Sequence, residues 1–457
     1  MGRPKMKSSL LFFLLCLFQI NKLGFCLEEE AQKSKNGVGS NGFISVTSFG
    51  AIGDGETDDT KVCIYRIITI CIKVVCMIFA LMYVYVINIF QAFLKAWEAV
   101  CKGGRNTKIL VPQGKTFMLK PLAFIGPCKS SSISFSIRGN LVAPGYTWYA
   151  GRYPTWISFD SINGLVVTGG GTIDARGSLW WGNVNTRPSA MHFNNCNGLR
   201  ISNLRHLNSP RNHVGLSCSQ NIEVTGIRMT APGDSPNTDG IDISNCKGVH
   251  IHDSVIATGD DCIAINSGSS HINITGIFCG PGHGISVGSL GVTGDFATVE
   301  EVRVKNCTFT NTQNGVRIKT YQNGSGYARK ISFEDIIMVA SENPIIIDQT
   351  YHNGGTNGGR SKSSNSYQNC HLAAKQRTQS GNGKGVRVSD VRYSSIRGSS
   401  ASDQAITLNC DADLGCSDIV MNNVNMVSAT FGHKVFATCK NAHGSFFASK
   451  VNCLKKY

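Results

Sequence analysis

Short runs rich in β-branched residues recur along the chain from about residue 190, and Asn, Asp or Gly separates each run from the next. Their spacing is roughly 20 to 30 residues, and the stretches between them show no sustained helical period. Because one such unit cannot bury its apolar face alone, neighbouring units must stack to form a core. The runs are LRISNLRHLNS, IEVTGIRMTAP, VHIHDSVIATG, INITGIFCGPG, VRVKNCTFTNT, ISFEDIIMVAS, VRVSDVRYSSI and IVMNNVNMVSA.

This repeat predicts an all-β fold in which each run is one coil of a right-handed parallel β-helix, a solenoid with a continuous apolar interior. A β-propeller is the alternative, but its blades would need about 40 residues each. The composition of 50 Gly and 16% charged residues also favours a turn-rich β architecture over disorder.

The N-terminus is predicted to be a cleaved secretory signal over residues 1–26. Arg3, Lys5 and Lys7 precede the apolar run Leu10–Phe18, and the small residues Gly24 and Cys26 follow it. We expect residues 27–43 to be a linker and residues 44–457 to form the β-helix domain. A cysteine-rich remainder fits the oxidising compartment that secretion implies.

The formal net charge of +15 is spread along the chain and is not concentrated in one basic block. No helix-turn-helix, zinc-finger or aromatic RNA-binding pattern is present, so a nucleic acid is a poor candidate partner. A basic surface raises the encounter rate with a polyanion, which favours an anionic polysaccharide. The charge can equally serve solubility alone.

Four consecutive coils carry polar clusters beside glycine, where backbone can approach a ligand closely. Matching positions in successive coils should lie about 5 Å apart, so one motif per coil can build a common cleft. The clusters are Asn237 with Asp239, Asp260 with Asp261, His283, and Arg317 with Lys319.

The adjacent carboxylates of Asp260 and Asp261 stand between the turn-forming Gly259 and the apolar run Cys262–Ile265. Side chains alternate between faces along a strand, so the two can share a site only from a turn or bulge. Like charges held close separate the pKa values of the two groups, as an acid/base pair requires. A solvated Asp-Asp turn is the other interpretation of this pair.

With these motifs in place, the sequence resembles the plant polygalacturonases, pectin-cleaving enzymes of glycoside hydrolase family 28. The resemblance covers most of the chain, because the family's NTD, DD, GHG and RIK motifs occur in order and on the repeat spacing. Further matching stretches are ISVTSFGAIGDGETDDT, ILVPQGKTFMLKPL, GGGTIDARGSLWWG and HLNSPRNHVGL.

The resemblance implies a site built from the clustered residues, with no cofactor and no metal. It implies hydrolysis with inversion, in which Asp260 is the general acid while Asp239 and Asp261 activate water, with His283 beside them. The implied substrate-binding residues are Asn237, Arg317, Lys319 and Tyr351. Arg317 and Lys319 would favour a uronate over a neutral sugar.

Other activities are compatible with a β-helix. A pectate lyase would abstract a proton with Arg or Lys and Ca²⁺, and it has no use for the NTD and GHG motifs. A non-catalytic pectin-binding protein would keep the basic groove and could lose a carboxylate, but none is missing here. The absence of a long insertion between the catalytic coils favours endo over exo cleavage by a monomeric enzyme.

Cysteine pairing cannot be deduced from spacing alone. The family pattern suggests the disulfides Cys101–Cys128, Cys262–Cys279, Cys410–Cys416 and Cys439–Cys453. The remaining cysteines in strand-like runs, Cys196, Cys218, Cys246 and Cys307, are expected to be buried thiols. The sequence departs from the family after Tyr351, where His352 replaces an expected cysteine and Cys370 is left without an assigned partner.

The segment from Val62 to Gln91 is the most unusual part of the sequence. It is apolar, contains no Gly or Pro, and interrupts TDDT and AFLKAWEAVC, which together resemble the family's short N-terminal capping helix. Removing the segment restores the match to the family on both sides, which suggests a retained intron. A membrane anchor is the alternative, because Val74–Phe90 is uncharged. On the intron hypothesis, we expect the helix to begin near Thr57 or Asp58, and the mature enzyme to have no membrane segment.

Overall fold

The computed structural model describes residues 42–60, 92–103, 107–182, 186–352 and 383–454. The predicted signal peptide, nearly all of the predicted linker, the Val62–Gln91 segment and Cys370 therefore lie outside the described residues. Among the residues that are described, no helix combines the length and apolar character needed to cross a membrane.

Thirty-one strands in the described part of the chain form two sheets, and the strands within each sheet pair in parallel. The fold is a right-handed parallel β-helix, which confirms the prediction from the repeats. The 11-stranded sheet, which carries the polar clusters, consists of β5 Leu122–Ile125, β8 Thr155–Asp160, β11 Ser189–Asn194, β14 Val214–Ser217, β17 Ile241–Ser244, β19 Ile263–Ile265, β21 Ile285–Leu290, β24 Asn314–Thr320, β26 Asn343–Asp348, β28 Gln404–Asn409 and β30 Phe436–Lys440.

The 20-stranded sheet closes the other sides of the coils and supplies most of the remaining core. Its strands are β1 Ile44–Ser45, β2 Asp54–Asp58, β3 Lys108–Val111, β4 Thr116–Met118, β6 Ile133–Ile137, β7 Asn140–Val142, β9 Leu165–Thr168, β10 Thr172–Asp174, β12 Arg200–Ser202, β13 Arg205–Leu207, β15 Gln220–Thr225, β16 Arg228–Thr230, β18 Lys247–Ala257, β20 Ser269–Cys279, β22 Phe296–Lys305, β23 Thr308–Thr310, β25 Ser325–Ser341, β27 Arg387–Ser400, β29 Cys416–Ser428 and β31 Ala442–Phe447.

The register between neighbouring coils places apolar residues next to apolar residues, and these form the core. Ile241 pairs with Val214 on one side and Ile263 on the other, and Ile263 pairs with Ile285. All of these side chains are buried. Each coil therefore covers the apolar face of its neighbour, which is why a single repeat is not stable alone.

A single α-helix among the described residues, α1 (Ala92–Gly103), packs at the N-terminal end of the solenoid. Its buried Phe93 and Trp97 rings meet Phe117 and Phe124 with centroids 5.7 and 5.4 Å apart. The predicted capping helix is thus confirmed. Its expected start is wrong, because Thr57 and Asp58 belong to β2, which pairs with β4.

The cysteine predictions hold for the described residues. All four predicted disulfides are present, at Cys101–Cys128, Cys262–Cys279, Cys410–Cys416 and Cys439–Cys453. Cys196, Cys218, Cys246 and Cys307 are buried as thiols.

Candidate active site

The candidate catalytic residues lie in the turns that lead into three neighbouring strands. Asp239 precedes β17, Asp260 and Asp261 precede β19, and His283 precedes β21. Backbone hydrogen bonds lock these turns together, because Gly240 N donates to Asp261 O at 2.9 Å and His283 N donates to Asp260 O at 2.7 Å. The register of the stacked coils therefore places these turns side by side, as the sequence predicted.

Gly259 is needed for this close stacking of turns. A Cβ atom at this position would lie 2.0 Å from the carbonyl oxygen of Ser235 in the preceding coil. Any side chain would therefore push apart the coil that carries Asp260 and the coil that carries Asp239. The glycine before the acidic pair fixes the distance between two coils.

Three donors surround the Asp260 carboxylate. His283 Nδ1 lies 3.0 Å from Oδ1, the backbone amide of Asp261 donates to Oδ1 at 2.8 Å, and Asn237 Nδ2 donates to Oδ2 at 3.1 Å. Burial alone would raise the pKa of Asp260, but the hydrogen bond and charge of His283 lower it to about 2. These contacts thus favour the ionised form of Asp260.

Asp261 faces different partners, although it is adjacent to Asp260 in the chain. Its Oδ1 accepts hydrogen bonds from Ser286 Oγ at 2.8 Å and from Arg317 Nη2 at 2.7 Å, and its Oδ2 lies 2.7 Å from Lys319 Nζ. The side chain is almost fully buried, with 1% exposed. Neighbouring carboxylates thus sit in one site because each has its own set of donors.

Arg317 and Lys319 reach Asp261 from β24, two strands further along the sheet. Both side chains are largely buried, at 12% and 10% exposed, so the contacts with Asp261 are ion pairs shielded from water. Arg317 Nε also donates to Ser286 Oγ at 3.0 Å. The two predicted substrate binders therefore neutralise a site carboxylate in this structure.

Tyr351 lies at the same end of the site as Lys319. Lys319 Nζ stands 5.5 Å from the centre of the Tyr351 ring, and Tyr321 packs edge-on against that ring at 5.5 Å. Burial raises the pKa of Tyr351 above its usual value. A pocket of about 520 Å³ lies beside this ring, lined by Gly291, Gly294, Tyr321, Gln322, Asn323, Thr350, Tyr351 and His352.

Asp239 has a pKa raised well above its usual range. Burial is the largest cause, and the charges of Asp242, Asp260 and Asp261 add to it. Asp242 behaves in the same way, since burial raises its pKa to about 7 against the opposing charge of Arg211. The surroundings thus raise the pKa values of Asp239 and Asp242 and lower that of Asp260.

Asp242 and Ser286 are site residues that sequence reasoning missed. Asp242, Ala264, Ser286 and Arg317 are consecutive register partners in the 11-stranded sheet, so they form one row beside the catalytic turns. Alternation in IDIS, where Ile241 and Ile243 are buried, is the signal that could have identified Asp242.

Ligand atoms of Asp260, Asp261 and His283 lie within 4.8 Å of one another, a spacing that a metal ion could use. The surroundings do not fit a cation, because both Asp261 oxygens already contact Arg317 and Lys319. A divalent ion would have to displace two buried positive charges. The expectation of a metal-free site therefore stays in place as a prediction.

Comparison with known families gives one matching model, described as glycosyl hydrolases family 28, over residues 101–369 and 364–453. A probable polygalacturonase of Arabidopsis thaliana is 42% identical over 408 residues, which cover 89% of this chain and 79% of the relative. Polygalacturonase-2 of Solanum lycopersicum is 36% identical over 425 residues, covering 91% and 81% of the two chains.

Solved structures show the same fold at low sequence identity. An endo-xylogalacturonan hydrolase from Aspergillus tubingensis has a TM-score of 0.63 at 22% identity, covering 79% of this chain and 95% of its own. A hyperthermoactive exopolygalacturonase from Thermotoga maritima has a TM-score of 0.62 at 19% identity, covering 88% and 91%.

Proposed function

The chain belongs to glycosyl hydrolase family 28, and we propose that it is a secreted polygalacturonase that hydrolyses α-1,4-galacturonosyl linkages of pectin with inversion. The observation that carries the proposal is the group of Asp239, Asp260 and His283 on adjacent coils, next to the buried cations Arg317 and Lys319. An acid, a base and positive charge are what hydrolysis of a uronate polymer needs.

The proposed roles depend on how the carboxylates share protons. Asp239 holds a proton when Asp260 is ionised, partly because the charge of Asp260 raises the pKa of Asp239. Moving the proton onto Asp260 removes that charge and frees Asp239 as a base. The reactive form therefore has the proton on Asp260, which gives it to the glycosidic oxygen, while Asp239 takes a proton from water.

His283 can serve as the proton partner of Asp260. Its Nδ1 is within hydrogen-bond distance of Oδ1, so a protonated His283 can pass its proton to Asp260 as the leaving oxygen accepts one. Asn237 holds the other carboxylate oxygen at 3.1 Å and so orients the group. Asp261 assists Asp239 in placing the water.

Arg317 and Lys319 keep donors for a substrate after neutralising Asp261. A guanidinium has five N–H donors and an ammonium has three, and the contacts described here use only part of each set. A galacturonate carboxylate beside Tyr351 would complete their coordination. The same charges would not be needed for a neutral sugar, which favours the uronate as substrate.

We further propose endo action by a monomer in the cell wall. No long insertion lies between the catalytic strands β17, β19 and β21, so no loop from these coils closes the cleft. Exo action is the alternative, because the pocket beside Tyr351 could receive a chain end.

Incubation with polygalacturonate tests the proposal. A hydrolase releases new reducing ends, a lyase forms an unsaturated product that absorbs ultraviolet light, and a binding protein yields neither. An endo enzyme gives long oligomers first, whereas galacturonate monomer from the first minute would overturn that part. The Asp260→Asn variant is the matched inactive control.

A further inference from the structure

Two arginines occupy the row of turns that holds the catalytic residues, but in earlier coils. Val214, Ile241 and Ile263 are register partners in β14, β17 and β19. The residue three positions before each is Arg211, Thr238 and Asp260, respectively. Arg187 precedes β11, one coil earlier again.

Arg187 is tied to the catalytic group through one residue. Its Nη2 donates to Asn237 Oδ1 at 2.5 Å, and Asn237 Nδ2 donates to Asp260 Oδ2 at 3.1 Å. The half-buried guanidinium is therefore linked to the proposed acid by two hydrogen bonds through Asn237. Its only hydrogen-bond acceptor among the described residues is a neutral amide.

The charge of Arg211 disfavours the charged form of Arg187. Burial and then the charge of Arg211 lower the pKa of Arg187, whereas the charge of Asp260 raises it. Arg211 is exposed, and its charge also acts on the carboxyl group of Asp242. Two positive charges in one cleft repel each other, and a bound anion would offset this repulsion.

The cations at the two ends of the cleft differ in their direct contacts with carboxylates. Arg317 and Lys319 both contact the carboxylate of Asp261, so each already has a direct anionic partner. Arg187 and Arg211 form no direct ion pair with a carboxylate among the described residues, although Arg211 acts on Asp242 and Asp260 acts on Arg187 through their charges. The cations of the cleft that lack a direct carboxylate contact therefore lie on the N-terminal side of Asp260.

We propose that Arg187 and Arg211 form a second carboxylate-binding subsite for a uronate unit, on the side of Asp260 opposite to Arg317 and Lys319. The inference rests on the proposed function, because it assumes a uronate polymer lying along the solenoid axis. A substrate held through carboxylates on both sides would have its scissile bond placed beside Asp260.

Calorimetric binding of oligogalacturonates in the inactive Asp260→Asn background tests the subsite. Adding Arg211→Gln should weaken binding of long oligomers roughly ten- to hundredfold, since a charge-assisted pair is lost. Binding of dimers too short to cover both sides should change less. Arg211→Lys should recover part of the affinity, whereas the exposed Arg228→Gln on β16 removes the same charge elsewhere and should have no effect.

Arg187→Gln in the otherwise native enzyme separates a subsite from a positioning role. A raised KM at nearly constant kcat supports the subsite, whereas a fall in kcat with unchanged KM would show that Arg187 only positions Asn237. Unchanged oligomer affinity in the Arg211→Gln protein overturns the inference even if the native enzyme is active. Failure of the native enzyme to release reducing ends would instead reject the proposed function.

Discussion

Nδ1 of His283 lies 3.0 Å from Oδ1 of Asp260, and this contact controls where the site keeps its proton. Burial favours a protonated Asp260, but the hydrogen bond and charge of His283 reverse this preference. The pKa values of Asp239, Asp242 and Asp260 therefore depend on one another, and each proposed role depends on its neighbours.

Replacing Asp260 with Asn should lower kcat by about 10²- to 10⁴-fold, because a general acid is lost while the shape of the side chain is kept. Release of reducing ends measures the effect, and circular dichroism checks the fold. Asp418→Asn is the control, since Asp418 is an exposed carboxylate on β29. Near-normal turnover in Asp260→Asn would exclude Asp260 from acid catalysis.

Lys319→Met should destabilise the protein by about 3–5 kcal/mol, because it leaves the buried Asp261 carboxylate with a partner missing. Denaturant unfolding at neutral pH measures the free energy. Lys330→Met removes an exposed ion pair with Glu301 and should cost less than about 1 kcal/mol. Equal effects of the two substitutions would contradict the importance of the buried pair.

Asp242→Asn should stabilise the protein at pH 7 by on the order of 1–3 kcal/mol and have little effect at pH 4. The pKa of Asp242 is raised from 3.8 to about 7 in the folded state, so its stabilising effect is complete below pH 3.8 and is lost as pH rises through 7. Unfolding curves at both pH values test this. A pH-independent effect would show that the raised pKa is not responsible.

His206→Met should stabilise the protein at pH 4 relative to pH 7, by on the order of 1–3 kcal/mol. Burial lowers the pKa of His206 from 6.5 to about 4, so the native protein loses stability as pH falls through this interval. Neither ring nitrogen has a hydrogen-bond partner among the described residues, and Met229 is its register partner. The exposed His271→Asn serves as control, and an identical pH profile in both variants would refute the prediction.

The sequence predicted the solenoid because its signal is local and repeated. Each coil shows β-branched residues such as Ile241 and Ile243 beside turn residues, and stacking is the way to bury them. The NTD, DD and GHG motifs also predicted that their residues would cluster, since parallel register brings equivalent turns of neighbouring coils together. The capping helix was predicted from the sequence, but its start at Ala92 was not. Asp54–Asp58 forms a strand instead, because it pairs with β4 over a long sequence separation.

The partners of each charge were decided only by tertiary structure. Nothing local assigns Arg317 and Lys319 to Asp261 instead of Asp260, because the choice depends on the direction of side chains 56 and 58 residues apart in sequence. The roles of Asp242 and Arg187 likewise arise from register across coils. The repeat determined where charges gather, while burial and distance decided which of them carry protons, because the energy of a charge depends on its surroundings in space.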